Sequence, residues 1–269
     1  MPGMRRVTRT TRRSVLTAAA VWTLAAAGAT PAGSAGGVAA AVDRQSHTFA
    51  LDEGQTWSLV ADVATVRLVG DPARRDVRID ITRHAATAAD LPRLPVVAHE
   101  TPTGSEVILR QSGGRLDPAL RAEVTITAPA TASRGFITIV EGGLELRGFH
   151  GRLEAEVRRG GIDAIDVSGT LRLATTIGAV NVTRARLVAG GLLRLRAFNG
   201  DVRLGFAEAP RDARVMALAL NGTIRSALPL TMKDGWGPRW GETTVGTGAD
   251  VVSIDVVTGT IEIDTPAAK

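Results

Sequence analysis

Along the second half of the chain one short pattern keeps returning: glycine, any residue, aliphatic, polar, aliphatic. One set of phrases reads GGLEL (142), GGIDA (160), GAVNV (178), GDVRL (200), GTIRS (222) and GTIEI (259). A second set reads GRLEA (151), GTLRL (169), GLLRL (191), ARVMA (213) and DVVSI (250). Each member of the second set lies nine residues before a member of the first, while the return legs run 9, 9, 13, 13 and 28 residues. Alternate residues of a strand point to opposite faces, so each phrase is a short strand with one apolar and one polar side. Asn199-Gly200, Asn221-Gly222 and Ser168-Gly169 read as corners, because Asn and Gly tolerate the left-handed backbone that a sharp bend needs.

A fixed leg beside a variable leg, repeating at about 20 residues, is the signature of a stacked repeat. The expectation is therefore an all-β chain: a single-chain β-solenoid or β-helix of about five to six coils with a β-rich N-terminal cap region. Leu144, Ile162, Val180, Val202, Ile224 and Ile261 should form one inward ladder. Leu153, Leu171, Leu193, Val215 and Val252 should form another. A coil cannot close a core alone, but its neighbours cover it. Residues 46–128 alternate as longer strands, as in DVRIDITRH and AEVTITAPA. They read as a β-rich entry region that caps the repeats of residues 135–264. The spacer AATAADLPRLPVV reads as an exposed loop or a short helix. Residues 46–264 are taken as one continuous domain.

Composition fits so narrow an interior. Aromatic residues are only 3% of the 269, with no Tyr, so the core must come from Val, Leu, Ile and Ala. The chain has no Cys, which excludes a disulfide framework and any thiolate metal site. The net charge of +5 resides in the N-terminus: five of the 32 basic residues lie in the first 13 positions, and the remainder balance the acids at 27 each. A nucleic-acid footprint needs positive charge in excess on the folded domain, so no nucleic-acid partner is expected.

The first 41 residues read as an export signal. TTRRSVL precedes TAAAVWTLAAAGA, a charged start followed by an apolar stretch too short and Ala-rich to span a membrane. Arg12-Arg13 gives the segment a twin-arginine-like character, with Val15 where Phe is usual. An ordinary secretory signal is the rival reading. Ala39-Ala40-Ala41 and Gly33-Ser34-Ala35 are both suitable cleavage sites. No membrane span is expected once the signal is removed, and the protein is expected outside the cytoplasm: extracellular, periplasmic or at the cell surface.

ITAPATASRGFITIVEGGLELRGFHGRLEAEVRRGGI (126–162), with the later Gly-Asp-Val and Gly-Thr-Ile phrases, resembles the bacterial putative adhesin family over about residues 46–264. That family has repeated Gly-Asp-Ile-like phrases after a β-rich start. The resemblance implies a β-solenoid and an envelope-exposed, non-catalytic protein with a binding, adhesion or scaffold role. It brings no catalytic residue and no cofactor.

The residues themselves give little chemistry. His47, His84, His99 and His150 show no metal-ligand spacing. Asp163, Asp166 and Asp201 lie near corners, where a carboxylate cluster would suit Ca²⁺, but Asn181, Arg194, Arg203 and Arg225 on neighbouring phrases favour a solvated mixed-charge wall. No catalytic, cofactor or metal site is assigned. The one unusual segment is LPLTMKDGWGPRWGETTVGTGAD, inside the 28-residue return. Trp236 and Trp240, with Arg239 and Asp234, form a candidate contact loop. Either the indoles plug the C-terminal end of the core or they stand out as a platform for an envelope component or polysaccharide. The competing function classes are a polysaccharide-acting β-helix enzyme, marked by a groove with converging carboxylates, and an envelope-stress sensor that binds a lipid or peptide.

Overall fold

The alternating phrases do become strands. The computed structural model describes residues 40–131, 133–233 and 237–266, and contains no α-helix among them. The entry region gives β1 (Ala41–Ala50), β2 (Thr56–Asp71), β3 (Asp76–Ala85), β4 (Val96–Thr101), β5 (Gly104–Leu109) and β6 (Arg121–Pro129). The repeats give β7 (Arg134–Arg147), β8 (Arg152–Arg159), β9 (Ile162–Ile165), β10 (Thr170–Ile177), β11 (Val180–Ala185), β12 (Leu192–Asn199) and β13 (Val202–Phe206). The chain closes with β14 (Ala213–Ser226), β15 (Thr231–Lys233), β16 (Arg239–Val245) and β17 (Asp250–Asp264). The Pro-containing spacer holds one short 3₁₀ turn, Leu91–Arg93. The export segment lies outside the described residues up to position 39, and β1 begins at Ala41.

All strands belong to one 17-stranded sheet. In the repeats the first legs pair in parallel, β7 with β8, β8 with β10 and β10 with β12. The second legs do the same, β7 with β9, β9 with β11 and β11 with β13. Both expected ladders exist: Leu153, Leu171 and Leu193 are in register, as are Leu144, Ile162, Val180 and Val202. All seven are buried. The core around them is aliphatic, with Trp57, Phe149, Phe49 and Phe206 the aromatic exceptions.

The chain is not a β-solenoid, and this corrects the fold expected from the repeats. The strands close into an eight-strand parallel β-barrel with additional strands outside it. Two features account for the difference. First, β2, β7, β14 and β17 run through the corner without a break, so both legs are parts of one bent sheet rather than separate coil faces. Asn221-Gly222, expected to be a corner, lies inside β14. Second, the chain does not advance one coil at a time. β17 pairs on one side with β12 and β13 and on the other with β14. The ladders therefore run Leu193, Val252, Val215 and Val202, Ile261, Ile224, with the last two members in reversed order. Ile224, at the end of its ladder, is only half-buried.

A column of glycines marks the bend. Gly142, Gly160, Gly178, Gly200 and Gly259 all have positive φ. A Cβ on each would overlap a backbone carbonyl oxygen of the strand beneath it: Ala64 under Gly142, then Gly142, Gly160, Gly178 and Gly200 in turn. The repeated glycine of the sequence pattern is thus the point where neighbouring backbones approach too closely for a side chain.

The entry region completes the sheet. β2 pairs in parallel with β7 along both legs and also with β5 and β6. β1, β3 and β6 join antiparallel, as do β4 and β5. Within the long return β15 and β16 pair antiparallel, and β16 also pairs with the first leg of β14.

Candidate functional site: the outer walls and the tryptophan hairpin

Because alternate residues of every leg face inward, the others form two outer walls. On the second-leg wall charges are matched. Glu145 accepts from Arg147 and, at 2.9 Å, from Arg67, and these contacts, Arg147 first, hold its carboxyl below the usual range. Asn181 donates to Asp163 at 2.9 Å, Arg203 meets Glu262 at 2.9 Å, and Arg225 reaches the same carboxylate at 3.5 Å. Thr65, Gly143, Glu145, Arg147, Gly161 and Asp163 line an open depression of about 520 Å³ on this wall.

The three aspartates considered for a cation do not converge. Asp163 bonds Asn181, Asp166 lies 2.8 Å from Arg186, and Asp201 accepts the Thr260 N–H at 2.8 Å. Among the described residues no group of three His, Asp or Glu side chains is placed to hold a metal ion. The histidines are scattered: His84 lies 3.3 Å from Glu123, His150 hydrogen-bonds Ser168 at 2.9 Å, and His99 is on β4.

The first-leg wall changes character along its length. On β7, β8, β10 and β12 its outward positions are rich in charge, with Arg134, Arg152, Glu154, Glu156, Arg158, Arg172, Arg194 and Arg196 all exposed. On β14 the outward row is Arg214, Met216, Leu218 and Leu220, apolar after its first member. Leu220 is 42% exposed, and Phe198, on β12, is 48% exposed. Val257 of β17 lies between them, next to Thr258, which pairs with both Asn199 and Asn221. Apolar side chains thus cross three neighbouring strands in the open.

The candidate contact loop borders this patch. Trp240 pairs with Leu218 on one side and Lys233 on the other, half-buried on the outer face. The Lys233 ammonium sits 4.1 Å from the centre of the indole, within cation–π range. Arg239 is exposed beside it. Asp234 and Trp236 lie outside the described residues. Trp240 does not plug the core; among the described residues the buried indole is Trp57, which donates its Nε1–H to Ser133 Oγ at 2.6 Å. Sequence reading passed over the β14 row, although its signal is visible: ARVMALAL is apolar at both alternating sets of positions after Arg214, where the other legs place charge outside.

No protein-family model matches the chain, and no curated protein sequence matches it. Solved structures offer distant likenesses. One, from Clostridium sporogenes, described as a "putative cell adhesion protein", is 12% identical, covering 83% of this chain and 100% of its own at a TM-score of 0.46. A "putative adhesin" from Bacteroides fragilis is 10% identical, with 82% and 97% covered and a TM-score of 0.33. A "Putative lipid binding protein" from Parabacteroides distasonis is 8% identical, with 83% and 97% covered and a TM-score of 0.25. Likeness at that level defines no family for the chain. Among the described residues no helix is long and apolar enough to cross a membrane.

Proposed function

We propose that the chain is an exported, non-catalytic binding protein of the cell envelope or surface, carried out of the cytoplasm by its first 41 residues. The observation that carries the binding role is the open apolar patch of Leu218, Leu220, Phe198 and Val257 beside Trp240. A row of such side chains facing water marks an interaction surface more often than a solvated wall. Trp240, Lys233 and Arg239 supply an aromatic body with cationic tips at its rim. The partner is an envelope component or polysaccharide that meets an apolar face and a cationic edge together. The export reading rests on the sequence of residues 1–41 alone.

The test is retention of the purified protein on isolated cell envelopes. Trp240→Ser combined with Phe198→Ser removes the two aromatic members of the patch without touching the core. Envelope retention should fall severalfold while the melting transition stays within a few degrees. Unchanged retention in this double variant would overturn the assignment.

A further inference from the structure

The charged part of the first-leg wall holds a separate feature. Arg134 of β7 lies directly opposite Arg152 of β8, and Arg172 of β10 lies directly opposite Arg194 of β12. Like charges directly opposite on neighbouring strands destabilise a sheet, yet the wall carries two such pairs on four successive strands. Arg172 is bridged back to β8 by Glu154, at 4.0 Å, and Arg194 meets Asp255 at 3.6 Å, both long contacts. Neither Arg134 nor Arg152 has an acidic partner within 4 Å among the described residues. On the second-leg wall, by contrast, Arg67 meets Glu145 and Arg203 meets Glu262, each at 2.9 Å.

The first arginine pair borders a shallow depression of about 220 Å³ lined by Arg134, Phe136, Arg152, Glu154, Thr170 and Arg172. Three guanidinium groups face one carboxylate there. The depression is small and open, so it accepts an anionic group rather than a whole ligand. Parallel strands lie about 4.8 Å apart. Thr170, not Arg172, is opposite Arg152, so a chain crossing the strands obliquely meets Arg134 and Arg152 in one row and Arg172 and Arg194 in a row two residues further along. Arginine's planar fork matches a carboxylate in a two-point contact, which a lysine cannot supply.

We propose that Arg134, Arg152, Arg172 and Arg194 form a binding stripe for a carboxylate-bearing polysaccharide lying across the strands. A single-stranded nucleic acid fits less well, because its binding sites stack bases on aromatic rings. The one aromatic ring in the depression, Phe136, is already covered by the Arg134 guanidinium, 5.4 Å from the ring centre. The stripe lies on other strands than Trp240, and its variants leave the aromatic patch intact, so the two assignments fail separately.

The experiment measures binding of the purified chain to immobilised polygalacturonate, with neutral dextran, polyphosphate and single-stranded DNA as parallel arms. The chain should bind polygalacturonate in a salt-sensitive way and ignore dextran. Arg134→Gln with Arg152→Gln should weaken binding about tenfold or more, the scale of losing charge-assisted hydrogen bonds. Arg172→Gln with Arg194→Gln should do the same, which guards against a folding defect in the first pair. Arg203→Gln with Arg225→Gln, on the opposite wall, should bind as the parent does. Without polysaccharide, the Arg134/Arg152 variant should melt no lower than the parent, since a like-charge contact has been relieved. Undiminished binding by both stripe variants overturns the proposal, as does equal loss from the opposite-wall variant. Tighter binding to polyphosphate or DNA than to polygalacturonate overturns it as well and assigns the stripe to a phosphate polymer.

Discussion

Trp57 packs directly against Gly135: a Cβ at residue 135 would overlap the indole at Cζ2, Cε2 and Cη2. The indole is fully buried on β2 and anchored through Nε1 to Ser133, so it has nowhere to retreat. Gly135→Ala should therefore destabilise by about 1–3 kcal/mol, the usual cost of overpacking a filled core. Thermal or urea unfolding checks this. In a Trp57→Phe background the smaller ring leaves room, and the same substitution should cost much less. A Gly135→Ala protein as stable as its parent would show that the indole does not occupy this position.

The position of β17 can be tested by cross-linking, since the parent chain has no Cys to interfere. Ser253 pairs with Arg194 on one side and with Met216 on the other. Adjacent strands lie about 4.8 Å apart and strands two apart about twice that, while a disulfide needs Cα atoms within roughly 7 Å. Arg194→Cys with Ser253→Cys should oxidise readily to a cross-linked form that runs faster on a non-reducing gel. Arg194→Cys with Met216→Cys should not. The opposite result would restore the order in which the chain is written.

His47 sets an acid sensitivity. Its ring stacks on Phe49 at 6.2 Å and 8°, and its Nε2 is buried with no hydrogen-bond partner. Opposite it on β3 is Ile79, and the nearest pairs along the strand are Gln45 with Ile81 and Phe49 with Val77. Burial lowers the imidazole from its ordinary value of 6.5. The folded state thus prefers the neutral ring, while the unfolded chain takes up a proton at the ordinary value. The resulting stability is present above 6.5 and is lost as pH falls through the folded value. His47→Leu should flatten the dependence of melting temperature on pH between about 7 and 5.5 relative to the parent. Parallel curves for the two proteins would assign the slope to other groups.

Much of this molecule can be read from period-two alternation. The members of both ladders were legible because Leu153, Leu171 and Leu193 share a position in a repeated phrase, and like positions stack. Of the glycines that mark the bend, Gly200 was legible as a corner because Asn199 precedes it, whereas Gly142, Gly160 and Gly178 have no such neighbour. What alternation does not encode is which neighbour a strand takes. Val215 and Val252 carry the same inward aliphatic position, and either order satisfies the pattern. Only the pairing of β17 with both β12 and β14 decides it. Closure into a barrel depends on strands such as β14 continuing through Asn221-Gly222, where the residues also suit a turn. At the candidate site, the tryptophan-bearing segment stood out by composition. The arginine stripe did not, because Arg134, Arg152, Arg172 and Arg194 lie far apart in the chain and become neighbours only through register.

The placement of β17 has a consequence for how the molecule is made. A ribosome delivers β14 before β17, yet the permanent parallel neighbour of β14 on the core side is β17 itself. Until Asp250–Asp264 has emerged, the inward rows of β12 and β13 have no strand joining them to that of β14, and the core remains open there. Folding by successive addition from the N-terminus therefore stalls after β13, and completion waits for the last strand to be inserted between two that are already there. Non-local pairing of this kind is intrinsically slow. A chain cut short before Asp250 loses an interior strand of its sheet rather than an edge strand, and should be recovered as an incompletely folded, protease-sensitive species.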